Sequence, residues 1–207
     1  MFKLTHPLPK KYWIAVSGGI DSAAVLHWLN KPSRKDSLLG VVNINHGTEY
    51  SKHVDWLLDE YYIRQLGLNV IKFRIEGKPP KGESKECWWR DRRYEFFNQV
   101  PGNEDIILAH HIDDCLEEYI MNTMIRGYAD TIKYRNGRCV RPFRLWKKKS
   151  IVSYIMRQKP MVPRFEDESN KDIKFKRNYI RHKVVPEILA INPGVYNIVA
   201  RLIKSQG

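Results

Sequence analysis

Six residues, Ser17-Gly18-Gly19-Ile20-Asp21-Ser22, join two apolar segments of different periodicity and narrow the possible folds more than any other stretch of the 207-residue chain. Residues 12–17 are aromatic, β-branched and apolar without alternation, the pattern of a strand buried on both faces. Residues 21–30 suit a helix with few exposed positions. Two glycines at the joint permit backbone angles and close approaches that a Cβ would block. The helix start then offers unpaired N–H groups and the positive end of a dipole. Ser17 and Ser22 add hydroxyls, so the corner has the makings of a phosphate cradle. Asp21 would repel a phosphate unless a cation lay between them, which points to bound magnesium at Asp21. The plain alternative is a strand–turn–helix corner with an Asp-Ser cap.

Strand-like and helix-like segments alternate along the chain. Strands are expected at 12–17, 38–44, 69–75 and 105–109, and helices at 21–30, 51–66, 84–99 and 113–126. That alternation predicts an α/β fold, a doubly wound parallel sheet with helices on both faces. Ligands bind such sheets beyond the carboxyl ends of the strands. Ser17, Asn45-His46-Gly47 and His110-His111 all fall there. Residues 127–139 hold no clear period; shorter helices are expected at 150–158, 178–190 and 194–204.

Charge divides the chain. Residues 1–132 carry 17 Lys and Arg against 18 Asp and Glu, whereas residues 133–207 carry 19 against 5. We therefore expect a nucleotide-binding catalytic domain over 1–132 and a small, basic, mainly helical subdomain over 133–207 that meets a polyanion. No apolar run is long enough to span a bilayer, and residues 1–13 lack the apolar centre of a leader, so no membrane contact is expected. Cys87, Cys115 and Cys139 are far apart and odd in number, which fits a reducing cytoplasm and disfavours a cysteine-held metal.

Four further motifs carry chemistry. His46 at a strand end could bind an adenine, a phosphate or its own backbone. Arg90 and Arg93 lie three apart on a helix face, where a guanidinium could reach phosphates near the loop. In "LAHHIDDCLEE", Asp113 and Asp114 open a helix, and Glu117 shares their face. Four neighbouring acids with no basic partner in their own turns call for a cation, either magnesium or an amine. In "EDESNKDIKFKRNYIRHKVVP", Arg177 and Arg181 share one helix face and suit phosphate or ribose.

The hexapeptide resembles the pyrophosphate-loop signature SGGxDS of the N-type ATP pyrophosphatases. The order SGGIDS, NHG, a loose ExxxxxxRxxRY at 83–94, LAHHIDDCLEE, Arg141-Pro142-Phe143 and EDESNxDxxFxRNxIR resembles that of the tRNA(Ile)-lysidine synthetases over about residues 13–204. The resemblance implies that Ser17, Gly18, Gly19, Asp21 and Ser22 bind ATP and its Mg2+, joined by Asn45, His46 and Arg93. It implies that Asp21, Asp114 and Glu117 are the catalytic acids, that His110 meets the cytidine, and that Arg177 and Arg181 help hold nucleotide and tRNA. The implied partners are tRNA(Ile) with a CAU anticodon and free L-lysine. The implied reaction is adenylation of the wobble cytidine followed by attack of the lysine amine. Where the family usually has a glycine-rich loop, residues 127–138 hold two glycines, and members usually continue into further C-terminal domains. A tRNA thiolation enzyme, a catalytically inactive tRNA binder and a small-molecule ligase are the competing readings.

The charge division carries its own test. RNA affinity should fall steeply with salt, each neutralised phosphate contributing roughly −0.9 or less to the log–log slope. Filter binding between low and moderate salt measures it, and a near-flat curve would remove the polyanion argument.

Overall fold

The computed structural model describes residues 3–48 and 50–206, apart from the Glu86 side chain. Met1 and Phe2, the first residues of the stretch searched for a leader, lie outside them.

Six strands form one sheet: β1 (Tyr12–Ala15), β2 (Leu38–Asn45), β3 (Val70–Arg74), β4 (Asp105–Ile107), β5 (Arg135–Asn136) and β6 (Cys139–Val140). Their order is β3-β2-β1-β4-β6-β5, parallel throughout except for the short β5–β6 pair. The expected α/β, doubly wound architecture is therefore observed. Winding reverses between β1 and β4, and sheets of this kind form their ligand crevice where the loops leaving two such strands part. The hexapeptide leaves β1 and the histidine pair leaves β4, so topology alone brings them together.

Strand pleating divides the core into two layers. Ile14 lies opposite Val41 on one side and Ile107 on the other, and all three face one helical layer. That layer holds α1 (Ile20–Leu29), α2 (Tyr50–Trp56) with its continuation as a wider π-type turn over Leu57–Gln65, and Ile151 and Ile155 from further along the chain. On the opposite face, Val42 and Ile106 pack against Phe97 and Val100 at the end of α3 (Lys85–Gln99). A third apolar cluster joins α4 (Ile112–Met121) to the C-terminal helices through Cys115, Leu116, Ile180, Val199 and Ile203.

The basic third is woven into this architecture. Residues 135–140 supply two strands, and α5 (Lys148–Met156) packs in the layer of α1. A helical stretch then runs through α6 (Lys176–Tyr179), a wider turn over Ile180–Val184 and α7 (Val185–Ile191), followed by α8 (Val195–Ser205). Pro186 stands inside that stretch, where its ring and missing N–H disturb the regular ladder, and the wider turn lies immediately before it. Several arginines of this third are spent internally. Arg144 is fully buried and donates to the Ile132 carbonyl at 2.7 Å, and Arg141 donates to the Tyr94 hydroxyl at 2.7 Å.

Helix α5 starts two residues before the expected 150. The cause lies outside its own sequence: Asp113 Oδ2 accepts the Lys148 backbone N–H at 2.8 Å. The other oxygen of Asp113 accepts the Tyr196 hydroxyl of α8 at 2.6 Å. One carboxylate thus ties α4, α5 and α8. Asp113→Ala should lower stability by about 2–3 kcal/mol, the worth of a lost cap plus a hydrogen bond to a charged group. Urea unfolding of the variant measures it, and a loss below 0.5 kcal/mol, on the order of an ordinary surface change, would refute the tie.

Candidate active site

The loop at the head of α1 has the shape of an anion cradle. Gly18 adopts φ +85°, and a Cβ there would sit 2.7 Å from Val54 Cγ2, so only glycine fits. Ser22 Oγ donates to the Gly19 carbonyl at 3.0 Å and accepts from the Ser17 N–H at 3.3 Å, which closes the turn on itself. Gly19 caps α1 without a side-chain acceptor, leaving the first-turn amides free of side-chain partners. A strap from the basic third crosses above. The Phe165 N–H donates to the Gly18 carbonyl at 3.0 Å, and Tyr50 Oη donates to the Phe165 carbonyl at 3.0 Å.

Asp21 opens α1 toward the crevice, where two cations meet it. Lys148 Nζ lies 2.7 Å and 2.6 Å from its two oxygens, and His111 Nε2 lies 3.5 Å from Oδ1. Burial would raise the Asp21 pKa, but His111 and Lys148 outweigh it and hold the carboxyl below its usual range. His111 itself is 4% exposed and stands among three carboxylates: Asp21, Asp113 at 3.4 Å and Asp114 at 3.5 Å. Burial pulls its pKa down, yet Asp114 and its two neighbours lift it to about 10, which favours the imidazolium.

His110, one residue earlier, has the opposite character. Burial pushes it down to about 3, against the pull of Asp114, and its Nδ1 has no partner. The two adjacent histidines shift in opposite directions because three acids surround His111, whereas at His110 burial and nearby arginines outweigh Asp114 alone. At the end of β2, His46 packs on Trp89 with ring centroids 4.9 Å apart. Burial, then the nearby Arg93, lowers its pKa to about 4. Arg93 on α3 lies near enough to both His46 and His110 to lower their pKa values. Asn45 is used for shape: its Oδ1 accepts the Gly47 N–H at 2.7 Å and its Nδ2 donates to Asp55 at 3.2 Å.

The acids of α4 are not left to repel one another. Glu117, its side chain 4% exposed, is gripped by Arg177 Nε at 2.9 Å and Arg181 Nε at 2.6 Å. Both guanidiniums also reach Asp114 Oδ1 at 3.5 Å, and Asp114 Oδ2 caps α4 by accepting the His111 N–H at 2.9 Å. Burial would raise the Asp114 pKa, but His111 and Arg177 keep it well below the carboxylate range. The expectation of acids without basic partners holds within their own helix turns and fails in space. Their cations arrive from residues 60 and 64 positions later. The two arginines expected to face RNA have their guanidiniums turned inward on acids.

The structure thus brings Asp21, Asp114, Glu117, His110, Arg177 and Arg181 around one crevice, with the Ser17–Ser22 loop on one wall. Sequence reasoning passed over His111 and Lys148. His111 was visible beside His110, but nothing local distinguishes the charged ring from the neutral one. Lys148 sits in a lysine triplet that reads as solvated surface, and β6, which delivers it to the crevice, spans only two residues. Among the described residues, no three His, Cys, Asp or Glu side chains are arranged to hold a metal ion. Asp21 offers one carboxylate to the loop, a donor set that fits magnesium carried mainly by phosphate oxygens and water.

Comparison with known proteins agrees with this geometry. A family model described as a PP-loop domain matches residues 3–188. A tRNA(Ile)-lysidine synthase of Thermotoga sp. is 33% identical over 92% of this chain and 48% of its own length. Proteins of the same name from Lactiplantibacillus plantarum and Legionella pneumophila are 30% and 31% identical, over 90% and 96% of this chain. The chain spans about half the length of these relatives. A solved structure, the U34-tRNA thiolase NcsA of Methanococcus maripaludis with its [4Fe-4S] cluster, aligns with a TM-score of 0.65 over 92% of this chain and 69% of that one. At 13% identity that likeness is one of fold. The family match takes in the loop, the acid helix and both arginines that close on it, and the chain belongs to the PP-loop domain family.

Proposed function

We propose that this chain is the catalytic domain of a tRNA(Ile)-lysidine synthetase, converting the first anticodon cytidine of a CAU tRNA(Ile) to lysidine in the cytoplasm. The observation that carries the reading is the meeting of two distant motifs. Glu117 of "LAHHIDDCLEE" is bonded to Arg177 and Arg181 of "RNYIR", across the crevice from the phosphate loop. The curated relatives named for this reaction support it further.

In this reading the triphosphate of ATP lies against the free amides at the start of α1, with Ser17 and Ser22 as hydroxyl donors. Magnesium held at Asp21 would supply positive charge for the departing pyrophosphate. The cytidine O2 attacks the α-phosphorus, forming one P–O bond as the bond to pyrophosphate breaks. The lysine ε-amine then attacks C2, and the C–O bond to AMP breaks. His110, neutral and with an Nδ1 that is unpartnered but buried, would hydrogen-bond a base edge without adding charge once that atom is uncovered. Asp114 and Glu117 receive the ammonium, and Glu117 is placed to take its proton as the guanidinium leaves. Since Arg177 and Arg181 already hold Glu117, the ammonium enters by displacing a guanidinium. The arginines so released are free to meet RNA phosphate.

The thiolation reading has less support from this chain's own residues. Cys87 is exposed and alone, while burial pushes the Cys115 and Cys139 thiols up to about 12 and about 11, far from the thiolate that sulfur transfer needs.

Three measurements test the proposal. Incubation with ATP, magnesium, labelled lysine and a CAU-anticodon tRNA should place label in the tRNA; a complete reaction without label would end the lysidine reading. Asp21→Ala should abolish pyrophosphate release and leave most tRNA binding, so unchanged release would sink the loop assignment. Glu117→Gln should raise the KM for lysine by about ten- to a hundredfold, the size of one charge-assisted contact, and change the KM for ATP far less. The reverse pattern would make these acids magnesium ligands.

A further inference from the structure

The cation nearest Asp21 at the phosphate loop is a lysine, not an arginine of the C-terminal helices. Lys148 stands at the start of α5, and its ammonium bridges both oxygens of Asp21 at 2.6 Å and 2.7 Å. Its position is set from behind: Asp113 holds its backbone N–H at 2.8 Å, and Asp113 is itself held by Tyr196 at 2.6 Å. The side chain is 39% exposed, so it is built in at the root and open at the tip. That is an unsuitable arrangement for a purely structural ion pair, because an exposed pair adds little to stability. It is a suitable one for a cation that changes partner.

Asp21 carries the argument further. A carboxylate at the mouth of a phosphate cradle opposes the phosphate, and the opposition needs a cation. Lys148 is that cation in the free protein. With nucleotide bound, Asp21 would hold magnesium in place of the ammonium, and the ammonium fixed beside it would be left to meet phosphate. We propose that Lys148 is a phosphate-binding residue of this site. It acts as the counter-ion of Asp21 in the free protein and passes to a non-bridging phosphate oxygen of the bound nucleoside triphosphate when magnesium occupies Asp21. No covalent step is involved. This rests on the reading of the loop as an ATP site and adds a residue that the motif pattern does not include.

The exchange has two readouts that a structural role would not move together. Lys148→Met removes the ammonium and keeps the length of the stem. Its ATP affinity in the presence of magnesium, by calorimetry, should fall at least about tenfold. Its affinity for Mn2+ without nucleotide, by the loss of the free-ion EPR signal, should rise several-fold, since Asp21 has lost its competitor. Lys148→Arg should keep ATP binding within about threefold, since the charge at the phosphate remains. Lys149→Met, an exposed neighbour, should match the unmodified protein in both assays. If Lys148→Met binds ATP normally, or loses ATP and Mn2+ binding alike, Lys148 is a structural partner of Asp21 only. Should Lys148→Met fail to fold, a Lys148→Arg protein that binds ATP more than tenfold more weakly would overturn the proposal equally well. Failure of the unmodified protein to bind ATP at all would instead remove the nucleotide reading, and the two failures are told apart in one titration series.

Discussion

Everything at the crevice depends on one buried charge. The His111 ring is nearly sealed from solvent and stands within 3.5 Å of three carboxylates from two helices. Three acids so close would repel one another strongly in a dry environment. A positive charge on the ring turns that repulsion into attraction, and each acid also binds a further partner. Asp21 holds Lys148, Asp113 holds α5 and α8, and Asp114 caps α4 and meets the arginines. Breaking such a cluster at one member costs more than the pair it removes, because the others are left buried and unpaired.

The network also explains why this part of the molecule can be both charged and ordered. Each loop that reaches it is fixed by a backbone contact from a different part of the chain. Gly18 is held by Phe165, and α5 is started by Asp113. The polar side chains are thereby aimed before any ligand arrives, a precondition for electrostatic catalysis without reorganisation.

Much of this was legible in the chain. Unbroken apolar strands and their spacing foretold the parallel sheet, because burial on both faces leaves no room for alternation. The Ser17–Ser22 loop was legible because its chemistry is local: glycine where a Cβ would strike Val54, and hydroxyls that close on the backbone. What escaped was non-local. β6 is two residues long and gains its strand identity only from pairing with β4 and β5. The partners of Glu117 lie 60 and 64 residues away, and helix spacing cannot report them. The charge count of the last third was read as an outward face, yet Arg141 and Arg144 lie in the interior and Arg177 and Arg181 turn to acids. A formal charge records how many cations a segment has, not which way they point.

The late position of Arg177 and Arg181 bears on how the protein is made. Chains emerge from the ribosome N-terminus first and at a limited rate. The sheet through β4 and the acid helix are synthesised well before the two arginines. Until then Glu117 has no guanidinium partner, and burying it would leave an uncompensated charge. The nascent domain can therefore assemble its phosphate loop while the acid wall stays open and hydrated. Closure of that wall therefore waits for the segment that carries Arg177 and Arg181.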